Sequence, residues 1–280
     1  MKNLILSLFC LTAFHLVTAQ HNVVDAHGAI VRGDSTKKYI AIVFTADEFG
    51  EGGDTILNTF QKHQVRASFF LTGNFYRNSA FKKWIESALK NGHYLGPHSD
   101  KHLLYATWEN RDSLLVNKQE FIKDLRQNMK QMKNFGIDHQ RSSYFLPPYE
   151  WYNKTISNWT RDLNMTLINF TPGTRTASDY TYPEIGSAYL SSDSIYQSIW
   201  KLEKHSKNGL NGFIILIHLG TDPRRTDKFY NRLDNLLIEL KKRGYQPVRV
   251  DELLDSYPRP YMRATSFTIF SISSSSPRGS

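Results

Sequence analysis

Cysteine is nearly absent from this sequence. The one cysteine among 280 residues, Cys10, lies in an apolar segment near the N-terminus. Disulfides, thiol nucleophiles and cysteine metal ligands are therefore excluded from the rest of the chain. No apolar run reaches the roughly 18 residues that a membrane-spanning helix needs. No block of like charge and no zinc-finger spacing indicates nucleic-acid binding. We therefore expect no transmembrane segment and no nucleic-acid partner.

The N-terminus has the order of a secretory signal peptide. A short basic start precedes the apolar residues 4–17, and a small-residue pattern ends at Ala19. This order predicts cleavage after Ala19 and a secreted or periplasmic protein. The formal net charge of +9 suits an anionic surface or polymer, but it equally suits a soluble secreted protein with a lysine-rich surface, which we favour.

The rest of the chain alternates between strand and helix patterns. Short apolar runs rich in β-branched and aromatic residues predict seven buried strands, at 39–44, 67–71, 93–95, 144–146, 166–168, 213–217 and 247–250. Apolar residues at helical spacing predict helices after Asp54 and over 81–89, 112–134 and 229–240. This alternation indicates an α/β fold with a parallel sheet, either a barrel or a doubly wound sheet.

The same patterns suggest the domain boundaries. Residues 20–37 are polar and rich in turn residues, which predicts a lead-in segment rather than core. Residues 38–257 carry the alternating patterns and are predicted to form one domain. Residues 258–280 are rich in proline and serine and are predicted to be a disordered tail.

Polar residues follow three of the predicted strands, where parallel α/β folds gather their chemistry. Asp47 and Glu48 are adjacent carboxylates, which repel unless a cation binds there or one acts as a base; a solvated acidic loop would also explain them. His218 ends a buried run, as either a satisfied core histidine or a general acid.

His98 and His102 are four residues apart, where a short strand is expected to turn into a helix. That spacing predicts both imidazoles on one helical face, which is half of a transition-metal site. Two surface histidines on a polar loop are the alternative. Together with the two carboxylates and His218, this histidine pair fits metal-assisted hydrolysis. In that reaction a base takes a proton from water and an acid protonates the leaving group.

Five motifs occur in an order that resembles the polysaccharide deacetylases, also called the NodB-homology family or family 4 carbohydrate esterases. They are Thr45-Ala46-Asp47-Glu48, Ala67-Ser68-Phe69-Phe70, residues 92–102, Phe145-Leu146-Pro147-Pro148-Tyr149 and Leu216-Ile217-His218. The resemblance covers roughly residues 38–257. It implies a distorted (β/α) barrel of about seven parallel strands. It also implies removal of N-acetyl groups from chitin- or peptidoglycan-type glycans, or of O-acetyl groups from xylan.

Matching positions imply the roles of individual residues. The resemblance implies one divalent metal ion, expected to be zinc, and an acetylated polysaccharide or oligosaccharide as the partner. The implied metal ligands are Glu48, His98 and His102. Asp47 matches the catalytic base, His218 the general acid, and Tyr149 the residue whose backbone N–H helps hold the oxyanion. Leu216 matches an apolar wall of the acetyl pocket, and Pro148 lies in the substrate-binding motif.

The sequence also departs from the family pattern. Glu48 stands where aspartate is usual, so either Glu48 or Asp47 could be the metal ligand. Leu146 replaces the arginine that orients the base, and we hypothesise that Arg175 substitutes for it. Glu150 replaces a glycine, so Glu150 and Trp151 are expected to narrow the groove or to contact substrate.

The fourth family motif is weak. We hypothesise that Asp179 orients His218, with Asp222 as an alternative. The aromatic residues Tyr105, Trp108, Trp151 and Tyr180 could line a sugar-stacking groove, and packing in the core or at its rim is the alternative for each of them. The rival function is a NodB-like carbohydrate-binding protein that has lost turnover, and the sequence does not separate amide from ester substrates.

Overall fold

The computed structural model describes residues 22–138 and 142–255. The predicted signal peptide (1–19) and the predicted tail (258–280) lie outside the described residues. Within those residues, no helix has the length and apolar character needed to span a bilayer.

The described residues form nine short strands. In chain order they are β1 (Val23–Val24), β2 (Ile30–Arg32), β3 (Tyr39–Ala46), β4 (Ser68–Leu71), β5 (Tyr94–Pro97), β6 (Tyr144–Phe145), β7 (Thr166–Leu167), β8 (Ile214–His218) and β9 (Gln246–Val248). The last seven correspond to the seven strands that the sequence predicts. All the pairings among these seven are parallel.

The parallel strands are arranged as a distorted barrel. Five of them form one sheet in the order β5-β4-β3-β8, with β9 also paired to β3. β6 and β7 form a separate pair, which a hydrogen bond from the Leu146 N–H to the Pro97 carbonyl connects to β5 (3.4 Å). Single bridges from Ile30 to Ile168 and from Arg32 to Phe213 connect β2 to both groups. The carboxyl ends of the parallel strands therefore meet on one side of the molecule.

Eight α-helices surround the strands. They are α1 (Gly53–Lys62), α2 (Gly73–Arg77), α3 (Lys82–Lys90), α4 (Lys118–Lys133), α5 (Lys154–Asp162), α6 (Ser192–His205), α7 (Leu233–Lys242) and α8 (Val250–Leu254), all within the described part of the chain. The helix predicted over 112–134 begins six residues later, because Asn117 caps it by accepting from the Glu120 N–H (3.0 Å). α2, α5, α6 and α8 were not predicted.

Two apolar layers hold the barrel together. An outer layer between the strands and the helices includes Phe44, Phe60, Phe69 and Leu236. An inner cluster fills the barrel itself, with Val43, Phe70, Tyr94, Leu146, Ile214 and Leu216. The two layers cover both faces of β3. Its buried residues are therefore consecutive and do not alternate with polar ones.

Residues 23–32 differ from the predicted lead-in. They form the antiparallel pair β1–β2, and the turn between these strands is held by Asp25, which accepts from the His27 and Ala29 N–H groups. Asp25 also accepts from the Tyr152 hydroxyl (2.5 Å). Ala29 is fully buried in a third apolar cluster with Phe145 and Ile156. The segment predicted as a lead-in therefore contributes to the core.

Candidate active site

The cavity that holds the candidate residues opens at the carboxyl ends of the parallel strands. Its volume is about 190 Å³, and it is lined by Thr45, Ala46, Asp47, Glu48, Phe49, His98, His102, His218 and Gly220. These residues come from the ends of β3, β5 and β8, so separate parts of the chain converge here. The structure thus places five of the predicted site residues, namely Asp47, Glu48, His98, His102 and His218, around one cavity.

Asp47 is held by two side chains that sequence reasoning missed. Its Oδ1 accepts a hydrogen bond from the Thr72 hydroxyl (2.7 Å) and another from the Asn74 side-chain amide (3.1 Å). Thr72 also caps α2 by accepting from the Phe75 N–H. The turn after β4 therefore fixes the carboxylate that follows β3. No local sequence pattern signals this contact, because it depends on the pairing of β3 with β4.

His218 and Asp179 form a close pair. The His218 Nδ1–H donates to Asp179 Oδ1 (2.6 Å), and the His218 backbone N–H donates to Asp179 Oδ2 (2.9 Å). Burial lowers the pKa of His218, but the charge and hydrogen bond of Asp179 and the charge of Glu150 outweigh it, so the pKa is raised above its usual value. The alternative partner, Asp222, instead binds the Arg224 side chain.

His98 and His102 do not lie on a helix, which corrects the geometry inferred from their spacing. Residues 98–102 form a loop, with positive φ at Ser99 (76°) and His102 (54°). The two imidazole rings are nevertheless 5.1 Å apart between centroids. The loop therefore brings together the pair for which the sequence analysis assumed a helix.

The state of the His98 ring is set by its surroundings. Its Nδ1 lies 2.7 Å from the Leu146 carbonyl, which only accepts, so Nδ1 carries the proton and Nε2 keeps its lone pair. Burial and the proximity of His102 lower the pKa of His98 well below its usual value. Burial also lowers the pKa of His102, although the negative charge of Asp47 acts to raise it. Two neutral imidazoles are the protonation state that a metal requires.

The carboxylate needed to complete a metal site is not in place. Glu48 is exposed, and among residues 22–138 and 142–255 no three His, Cys, Asp or Glu side chains lie close enough to share one ion. The Thr45 hydroxyl, buried at the cavity wall, has no hydrogen-bond partner among these residues. The histidine pair thus fits a divalent metal, whereas a carboxylate would have to move to join it.

Tyr149 and Glu150 form a tight turn after β6. Both have positive φ, 58° and 52°, a conformation unusual for residues with side chains and typical of functional sites. The Glu150 and Trp151 N–H groups donate to the Pro147 and Pro148 carbonyls. The Glu150 carbonyl accepts from the Asn169 amide (3.0 Å). Burial raises the pKa of the Glu150 carboxyl to about 7.

A sequence profile described as polysaccharide deacetylase matches residues 32–168. The uncharacterized protein YlxY of Bacillus subtilis is 26% identical over 227 residues, which are 81% of this chain and 60% of that protein. The peptidoglycan-N-acetylglucosamine deacetylase PgdA of Listeria monocytogenes is 24% identical over 223 residues, which are 78% of this chain and 39% of that protein. Residues 32–168 therefore form a domain of the polysaccharide deacetylase family. The chain spans less than two thirds of the length of these two relatives.

Two solved structures share the polysaccharide deacetylase fold with this chain. One is a CE4 family pseudoenzyme from Bacillus anthracis, with a TM-score of 0.63 and 21% identity, covering 83% of this chain and 70% of that one. The other is a family 4 acetyl xylan esterase from Clostridium thermocellum in complex with a cobalt ion, with a TM-score of 0.60 and 19% identity, covering 77% of this chain and 89% of that one. The predicted distorted barrel is confirmed.

Two family positions are occupied differently here. Leu146 is fully buried in the apolar cluster of the barrel interior, which also contains Leu216, so its side chain belongs to the core. Arg175 is exposed and donates no hydrogen bond to Asp47, whose described partners are Thr72 and Asn74. That Arg175 replaces the family's arginine stays a prediction, and the hydrogen bonds to Asp47 come from Thr72 and Asn74.

Proposed function

We propose that this chain is a secreted, metal-dependent deacetylase that hydrolyses acetyl groups from a polysaccharide. The observation that carries the proposal is the placement of two proton-transfer groups on one cavity. Asp47 is held by Thr72 and Asn74, and His218 is held by Asp179, next to a pair of neutral histidines. Family membership and the named deacetylases among its relatives support the acetyl group as the target.

In the proposed reaction, Asp47 takes a proton from the water that attacks the acetyl carbonyl carbon. The Tyr149 backbone N–H donates to the carbonyl oxygen as negative charge develops on it. His218 then gives its proton to the departing nitrogen or oxygen, and the bond to the acetyl carbon breaks. Acetate and a free amine or hydroxyl on the sugar are the products.

His98 and His102 would hold one divalent metal ion together with a carboxylate from the Asp47–Glu48 pair. When bound, such an ion supplies Lewis-acid activation of water and of the acetyl oxygen. Zinc is the proposed ion, since two imidazoles and one carboxylate form a ligand set that zinc uses in catalytic sites. Secretion is proposed from the N-terminal sequence pattern alone.

The rival function is carbohydrate binding without turnover. Two observations favour it: Leu146 stands where the family has an arginine, and no three metal-binding side chains converge among the described residues. The retained Asp47 and the His218–Asp179 pair favour the enzyme, because a binding protein needs neither an oriented base nor an oriented acid.

The proposal is tested by acetate release from N-acetylglucosamine oligomers, peptidoglycan and acetylxylan, with added zinc. We expect the wild-type protein to release acetate from at least one of them. Asp47→Asn should lower kcat by roughly 10²–10⁴-fold, the usual contribution of a general base. No acetate from any of the three with a folded, zinc-loaded protein would favour the binding protein.

A further inference from the structure

A group of aromatic side chains borders the candidate site on the side of His102. The Tyr149 ring lies 4.4 Å from the His102 ring, and the Trp108 ring lies 5.7 Å from Tyr149 and 5.2 Å from Trp151, all between centroids. We call Trp108, Tyr149 and Trp151 the aromatic wall. It continues directly from the cavity where the acetyl group would react.

The aromatic wall presents apolar rings to solvent. Trp108 is 52% exposed and Tyr149 is 44% exposed. Large aromatic side chains bury much apolar area when a ligand covers them, and adjacent exposed ones at a cavity rim indicate a binding surface. The flat ring faces match the apolar face of a pyranose ring.

Trp108 lies on a loop whose position is fixed by contacts with Trp151 and Asn153. The Trp151 indole N–H donates to the Thr107 carbonyl (3.1 Å), and the Arg111 guanidinium lies 3.5 Å from the centre of the Trp151 ring. The Asn153 amide in turn donates to the Arg111 carbonyl (2.9 Å). Trp151 therefore supports the loop, because one of its faces is already covered, whereas Trp108 is the ring left open to a ligand.

We propose that Trp108 stacks on a sugar ring next to the one that carries the reacting acetyl group. The site would then recognise an oligosaccharide chain rather than a single sugar. This inference rests on the proposed function for its choice of ligand. It assigns Trp151 a positioning role, which differs from the substrate contact expected from the sequence.

The first test measures binding where turnover is suppressed. In an Asp47→Asn background, the dissociation constants of the N-acetylglucosamine monomer and tetramer are measured by calorimetry, with and without Trp108→Ala. We expect Trp108→Ala to raise the Kd of the tetramer about tenfold, the equivalent of 1.4 kcal/mol, and that of the monomer less than twofold. The proposal would be overturned if Trp108→Ala left the tetramer Kd unchanged. It would also be overturned if the Asp47→Asn protein with Trp108 intact did not bind the tetramer.

Trp159→Phe is the matched control, since Trp159 packs against Phe121 in a different cluster. It should leave the tetramer Kd unchanged. Trp151→Phe keeps the ring but loses the bond to Thr107, so it should raise the tetramer Kd by less than Trp108→Ala does. A larger effect for Trp151→Phe than for Trp108→Ala would reverse the assigned roles and contradict the proposal.

A second test separates this proposal from the proposed function. Acetate release is measured on the monomer and the tetramer with and without Trp108→Ala in the otherwise wild-type chain. The fall in kcat/KM should be about tenfold greater for the tetramer, and an equal fall for both would contradict the proposal. Absence of acetate together with the tenfold change in Kd would refute the deacetylase and leave the sugar subsite supported.

Discussion

At the residue scale, the proton on His218 depends on Asp179. The two hydrogen bonds between them fix the ring, so that Nε2 is the nitrogen left to give a proton. Because the pKa of His218 is raised, its protonated form persists to a higher pH than in an ordinary histidine. The activity that requires protonated His218 should therefore fall only when the pH rises through the raised pKa of this residue.

Asp179→Asn removes the negative charge that raises the pKa of His218. The acid form should then be lost at a lower pH, so the alkaline limb of the kcat/KM profile moves toward acid and kcat at pH 8 falls by roughly 10²–10⁴-fold. The matched control is Asp222→Asn, since Asp222 binds Arg224 and not His218. Identical alkaline limbs for wild type and Asp179→Asn would exclude Asp179 as the group that tunes the acid.

Leu146 shows how residue identity alone can mislead. The family pattern suggests that Leu146→Arg would restore a missing group, but this side chain is fully buried in the barrel interior. A buried charge without a partner is costly, so Leu146→Arg should lower the free energy of unfolding by roughly 3–5 kcal/mol. Urea unfolding measures this, with Leu146→Met as a volume-conserving control. Unchanged stability with increased acetate release would contradict this account and support the rival.

At the element scale, the sequence predicts the strands better than the helices. Each predicted strand overlaps an observed one, because the buried parallel strands are runs of apolar residues that interrupt a polar chain. α2 has only five residues, too few for a helical period to show. α6 does carry an apolar stripe, in which Tyr196, Trp200 and Leu202 pack beside Ile195 and Ile199, and the sequence prediction overlooked it. The loop at 98–102 depends on two positive φ angles that no spacing rule encodes.

His93, just before β5, should make stability depend on pH. Its Nδ1 accepts a hydrogen bond from the Ala67 N–H (2.9 Å), which only an unprotonated nitrogen allows. Burial, assisted by the charges of Arg66 and Arg249, lowers its pKa to about 4. The stabilisation is complete above the unfolded value of about 6.5 and is lost as the pH falls from there through about 4.

The loss expected from His93 is about 3 kcal/mol across that range. His93→Asn keeps an acceptor near the Ala67 N–H but does not titrate. Chemical unfolding at pH 7 and pH 4.5 should therefore show a larger fall in stability for wild type than for His93→Asn, by roughly 2–3 kcal/mol. Equal falls for both proteins would show that His93 is not buried as a neutral group.

At the scale of the whole molecule, the candidate site comes from residues far apart in sequence. The cavity residues that belong to sequence motifs could be predicted, because each motif lies at or just after the end of a predicted strand. Their partners could not, since Thr72, Asn74 and Asn169 meet the site only through strand pairing and loop packing. The hairpin residue Asp25 likewise reaches Tyr152, next to the aromatic wall, across 127 positions.

The central claim is that the cavity with Asp47, His218 and the histidine pair hydrolyses acetyl groups with one metal ion. The most direct test strips the metal from the protein and titrates zinc back while acetate release from an N-acetylglucosamine tetramer is measured. We expect release to rise until about one equivalent of zinc is bound, and His98→Ala to lose both the binding and the release. Zinc-independent release, or a folded zinc-loaded protein that releases no acetate, would contradict the claim.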